Sequence, residues 1–172
     1  MANVFTVETL KDTTEHAVIK LTGKFDGSGQ EDTAGRIQAW SYAGALNANT
    51  VPGLLSDGRS KLPYYGLTIH RIWYDCACEG DVELFWDADT RRTIAFLNGN
   101  GEYDGAGNWI TIPNSAKGTA NCKGDIGITT RGMVANSSYT IILEVRKENE
   151  YYQRGQFNDP AAFNYPPYDV RP

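Results

Sequence analysis

The chain has 172 residues and 41% hydrophobic content, enough for one domain with a real core. Its formal net charge of -5 argues against a protein that holds nucleic acid through a basic patch. No apolar run approaches the roughly 18 residues of a membrane helix. The opening Met1-Ala2-Asn3-Val4-Phe5 lacks the basic flank and apolar core of a signal peptide, which leads to the expectation of a chain folded in a cytosol. Three cysteines, an odd number, fit a reduced compartment better than a disulfide framework. Eighteen glycines and only two methionines suit a turn-rich β protein.

In chain order, Val4 to Leu10 alternates and predicts a first strand. Lys11 to Glu15 is a turn, and His16 to Thr22 predicts a second strand, so the two form a hairpin. Gly23 to Gly29 breaks the pattern, and Gln30 to Gly35 reads as a polar loop. Arg36 to Leu46 fits either period, and its context favours a strand with a loose end. Asn47 to Tyr65 is a long connection carrying two prolines and two glycines, of the kind that contacts something outside the domain.

From Gly66 the chain predicts a series of short strands. They are Leu67 to Tyr74, Val82 to Trp86, Arg92 to Leu97, Trp109 to Ile112, Asp125 to Thr130 and Ser138 to Lys147. Turn chemistry fills the gaps, at Glu79-Gly80-Asp81, Asp87-Ala88-Asp89, Asn98 to Gly101, Asn121 to Gly124 and Arg131-Gly132. The last strand is the clearest, with Tyr139, Ile141, Leu143 and Val145 on one face. The fold class expected is all-β, an antiparallel β-sandwich of jelly-roll type. The core candidates are Phe5, Ile19, Ile69, Trp73, Phe85, Ile94, Ile110, Ile126, Ile141 and Leu143.

After Lys147 the composition shifts. Residues 148–172 place Tyr151, Tyr152, Phe157, Phe163, Tyr165 and Tyr168 among Pro160, Pro166, Pro167 and Pro172. The prolines oppose a helix interior or a central strand. The aromatics oppose a solvated tail. The expected organisation is a sandwich over 1–147, with the long loop 47–65, and an extended C-terminal arm over 148–172. The arm's six aromatics are the expected subunit-interface residues, because exposed aromatic surface marks an interface.

Several constellations bear on chemistry. His70, Cys76, Cys78 and Cys122 could hold zinc, and His70, Cys76 and Cys78 share parity on an unbroken strand. The Cys-x-Cys spacing is not a zinc knuckle, so buried thiols are the preferred reading. Asn98, Asn100, Glu102 and Asp104 resemble a calcium loop, but a glycine-rich hairpin turn explains them as well. Asp87 and Asp89 read as turn residues. Trp40, Trp73, Trp86 and Trp109 could form a sugar-stacking platform, although strand tryptophans are more often core. Asn136-Ser137-Ser138 matches a glycosylation sequon and is set aside for want of a secretion route. Neither histidine lies in a catalytic motif, so no enzyme, no metal and no cofactor are expected.

Trp86-Asp87-Ala88, Gly99 to Gly107, Gly124 to Gly132 and Ser138 to Lys147 carry a likeness, joined by Val7 to Asp12 and Ile19 to Phe25. In these stretches the chain resembles a family of small bacteriophage virion proteins grouped with capsid and tail genes. The resemblance implies a structural virion protein, assembled in the host cytoplasm. A capsid decoration or cement protein that clamps neighbouring capsid subunits is the expected role. A head–tail connector, neck or tail ring component is the alternative, and a carbohydrate-binding receptor module a third. The partners implied are the major capsid protein or neck and tail proteins, and further copies of the chain in a homo-oligomer, without nucleic acid or membrane.

Overall fold

The computed structural model describes residues 2–13, 15–43, 67–105, 111–116, 122 and 124–147. The loop 47–65 and the arm with Tyr151, Tyr152, Phe157, Phe163, Tyr165 and Tyr168 lie outside the described residues. So do Trp109 and Ile110.

Among the described residues nine strands follow one another: β1 (Val4–Asp12), β2 (His16–Lys24), β3 (Asp32–Ile37), β4 (Leu67–Ala77), β5 (Asp81–Trp86), β6 (Arg92–Leu97), β7 (Gly99–Asp104), β8 (Ile126–Arg131) and β9 (Ser138–Lys147). They build two antiparallel sheets, ordered β1-β2-β9-β4-β7 and β3-β8-β5-β6. The fold is an all-β sandwich. With β1 set aside, β2-β9-β4-β7 faces β3-β8-β5-β6, and every connection except the β5–β6 hairpin crosses from one sheet to the other. That strand order is the jelly roll, two interlocked Greek keys.

The alternation of β2 and β9 decides the inner face of the larger sheet. Ala17, Ile19 and Leu21 of β2 and Tyr139, Ile141, Leu143 and Val145 of β9 are buried. They meet Val82, Leu84, Trp86, Ile126 and Ile128 of the smaller sheet in one hydrophobic cluster. Lys147 ends this inner row, and it too is buried. Its ammonium donates to Asp12 Oδ1 and to the carbonyls of Thr13 and Ala43, so all three protons are used. At the other end of β9, the Tyr139 hydroxyl donates to Glu31 Oε2 at 2.5 Å. Arg36 Nε stands 3.4 Å from Glu31 Oε1. Burial raises the Glu31 carboxyl above its ordinary range, opposed by the Tyr139 hydrogen bond and the Arg36 charge.

The structure corrects several sequence readings. Gln30 to Gly35 is not a loop, because Asp32–Ile37 forms β3 and pairs with β8. Past Ile37 the chain turns through a short 3₁₀ segment, Ala39–Ser41, held where the Ala39 N–H donates to the buried Asp125 Oδ1. Asn98 to Asp104 is no hairpin turn. Gly99–Asp104 is the edge strand β7, and it pairs with β4 in the opposite sheet from β6. Tyr74 explains the glycine at 101, since a Cβ there would lie 2.6 Å from the Tyr74 hydroxyl. Ile112 forms a single bridge to Ile69.

Two core assignments also change. Trp73 points outward, opposite Ile142 on β9 and Glu102 on β7. Phe85 is buried, but on the outer side of the smaller sheet: its ring lies flat over Gly127, with Arg91 above it at 4.4 Å. Any side chain at 127 would collide with that ring. Trp86, by contrast, is fully buried in the main core.

Candidate functional site

The outer face of the five-stranded sheet gathers the polar side chains that the fold does not use. Outward positions of β9 are Thr140, Ile142, Glu144 and Arg146. Register places His16 of β2 opposite Arg146, and Val18 opposite Glu144. On the other flank, Arg71 of β4 stands opposite Glu144, and Trp73 opposite Ile142.

A β-bulge decides where His70 goes. The β4–β9 register shifts between Ile69 and Arg71, so His70 is the inserted residue. A bulge places two consecutive side chains against one partner residue and re-aims them. His70 follows the inward Ile69, and the bulge keeps both it and Arg71 on the outer face before Ile72 and Cys76 return to the core, so His70 meets His16 across β9. Their rings stand edge to face with centroids 5.6 Å apart. His16 is fixed from its own side by the hairpin turn. Its N–H donates to Thr13 Oγ1 at 3.0 Å, and its carbonyl accepts from Thr13 Oγ1 at 2.9 Å.

Glu144 lies between the two imidazoles. One donor atom from each of His16, His70 and Glu144 falls within 4.8 Å of the other two. His16 Nδ1 and His70 Nε2 are both shut off from solvent without a hydrogen-bond partner. Such orphaned nitrogens are rare in folded proteins. Burial, and secondarily the neighbouring His16, holds the His70 imidazole below its ordinary pKa, which favours its neutral form. Glu144 makes one long ion pair, 3.7 Å to Arg71 Nε, whereas Arg71 is drawn closer to Asp104 at 3.0 Å.

Further along the same face runs a groove of about 490 Å³. Trp73, Asp75, Asn100, Glu102, Thr140 and Ile142 line it. Arg71 stacks over the Trp73 ring at 5.8 Å.

The cysteines do not join His70. The bulge breaks the parity on which that set depended, so Cys76 faces the core while His70 faces out. Burial pushes the Cys76 thiol up to about 12, and it raises Cys78 and Cys122 as well. Cys78 Sγ donates to the Gly80 carbonyl, and Cys122 accepts from Asn114 Nδ2. These thiols pack in or against the core, a common role for free cysteine. Nor do Asn98, Asn100, Glu102 and Asp104 wrap a common centre, since Asn100, Glu102 and Asp104 are spaced along an extended strand. A four-tryptophan platform is ruled out by the burial of Trp86.

No protein-family model and no curated protein matches this chain.

Sequence reading missed Glu144 and, further off in the chain, His16. It lies 54 positions from His70 and 128 from Glu144 (70 − 16 and 144 − 16) in the chain. Only the β2-β9-β4 strand order and the bulge bring the three together.

Proposed function

We propose that the chain is a structural protein of a bacteriophage particle, a capsid decoration or cement protein that clamps neighbouring subunits. The observation that carries this reading is the open edge strand on a jelly roll. β1 pairs only with β2 among the described residues, and from Thr6 to Asp12 every side chain is exposed. Val7, opposite Leu21 on the inner side, overhangs the smaller sheet and is 41% exposed; Val4 and Leu10 are exposed as well. An edge strand that the described residues leave uncovered, with Val4, Val7 and Leu10 exposed among Thr6, Glu8, Thr9, Lys11 and Asp12, can serve as a template for strand addition by a neighbour. Jelly rolls recur in viral capsid and lectin domains, an analogy of fold that adds weight without fixing the role. The aromatic, proline-rich composition of residues 148–172 supports a second contact.

The test is the copy number of the chain in purified particles, by quantitative mass spectrometry. On the order of hundreds of copies supports a shell-bound cement protein. About six or twelve copies, as a closed ring requires, moves the role to the neck or tail. Absence from particles overturns the virion reading.

A second reading, a carbohydrate-binding module, is favoured by the Trp73 groove. A half-buried indole beside Asp75, Asn100, Glu102 and Thr140 offers a stacking surface flanked by hydrogen-bonding groups. Saturable quenching of tryptophan fluorescence by a host polysaccharide, lost in Trp73→Ala, would establish it.

A further inference from the structure

We propose that His16, His70 and Glu144 form a binding site for a divalent transition-metal ion of the zinc class. Three observations converge. The donors lie within 4.8 Å of one another, on a face clear of the packed core. Two imidazole nitrogens are sealed from solvent with nothing to bond. And a bulge in the β4–β9 ladder sets His70 beside Arg71 on the outer face that also carries His16 and Glu144.

Donor chemistry selects the class of ion. Two imidazoles and a carboxylate suit zinc, cobalt and nickel, whereas magnesium and calcium prefer all-oxygen shells. Bonds of about 2.0–2.1 Å to a tetrahedral ion place donors roughly 3.4 Å apart. Small side-chain rotations close the present spacing to that value. The three backbone anchors sit on adjacent strands β2, β9 and β4, so little ordering remains to be done on binding. Three protein ligands leave a fourth position for water or for a donor from a neighbouring subunit.

Charge opposes the ion only in part. Arg71 and Arg146 share the face with Glu144, but Arg71 is engaged by Asp104 at 3.0 Å. An ion bound to Glu144 replaces a 3.7 Å contact that is already weak.

The experiment is a titration of the full chain with zinc chloride by calorimetry, paired with a cobalt chloride titration read by visible absorption. One equivalent should bind. The cobalt spectrum should show the intense visible bands of a four-coordinate ion without the near-ultraviolet thiolate bands that cysteine ligation produces. His16→Gln and His70→Gln should each weaken binding by roughly 100-fold or more, beyond the 10–100-fold typical of outer-shell changes. Glu144→Gln should weaken it less. Circular dichroism of each variant separates lost binding from lost fold, and imidazole shifts in the nuclear magnetic resonance spectrum of the unaltered chain report the ligands without any substitution. The proposal is overturned by absence of saturable binding, by thiolate bands, or by binding that survives both histidine substitutions.

Discussion

The two faces of β9 differ in how completely their polar groups are satisfied. On the inner face, Tyr139 and Lys147 bracket Ile141, Leu143 and Val145, and each buried polar end has its partners: Glu31 at one end, Asp12 and two carbonyls at the other. On the outer face, Glu144 lies between two imidazoles whose buried nitrogens bond to nothing. Burying a polar group without a partner costs free energy, and natural folds avoid it. The Tyr139 hydroxyl and the Lys147 ammonium are bonded, although Glu31 Oε1, Arg36 Nε and Nη2 and Trp86 Nε1 on the inner side are also buried without a hydrogen-bond partner. The outer face has the arrangement of a structure that waits for a ligand.

Substitutions can sharpen that contrast, beginning with the largest effect. Leu143→Ala empties a fully buried position between the sheets. It should cost about 3–5 kcal/mol in urea unfolding, the range for a leucine cavity that cannot collapse. Asp12→Ala should follow at about 3 kcal/mol, because it strips the Asp12 counter-charge from a buried ammonium. Equal stability to the parent chain would mean that Lys147 finds water, and the inner face would not be sealed.

Glu31 supplies a pH signature. Its folded-state pKa is raised above the ordinary value of 4.5. The folded form therefore holds the proton more tightly than the unfolded form. That contribution to stability is complete below about pH 4.5 and is lost as pH rises through the folded value. Glu31→Gln cannot ionise, so the parent chain should lose stability relative to it across that window. A difference between the two that stays flat with pH would show that Tyr139 and Arg36 fully offset the burial. The smallest effect belongs outside: with metal removed, His16→Gln and His70→Gln should each change stability by no more than about 0.5 kcal/mol.

Much of the inner face was legible in the sequence. The alternation of Tyr139 to Val145 needs no partner to be read, and neither does the β1–β2 hairpin. Lys147 was harder, since a lysine at an inner position is credible only once Asp12, Thr13 and Ala43 are seen to converge on it. Strand β3 was missed because Asp32-Thr33-Ala34-Gly35 carries little β propensity. Its pairing with β8, not its own composition, makes it a strand. β7 looked like a turn for the same reason, as its Gly101 serves the close approach of Tyr74. Of the outer site only His70 was legible in the sequence, and there it was grouped with cysteines that the fold does not bring to it. Parity counting failed at the one-residue bulge, and a slip of one residue sends a side chain to the opposite face.

The most direct test of the contrast is thermal unfolding with and without zinc, on the parent chain, Leu143→Ala and the double variant His16→Gln/His70→Gln. A ligand at one hundred times its Kd stabilises by about 2.7 kcal/mol, roughly 5–10 °C in a domain of this size. The account predicts that Leu143→Ala melts far lower yet keeps the zinc shift, while the double variant melts near the parent temperature and has lost it. A zinc shift that persists in the double variant would contradict the account and return the outer face to ordinary surface.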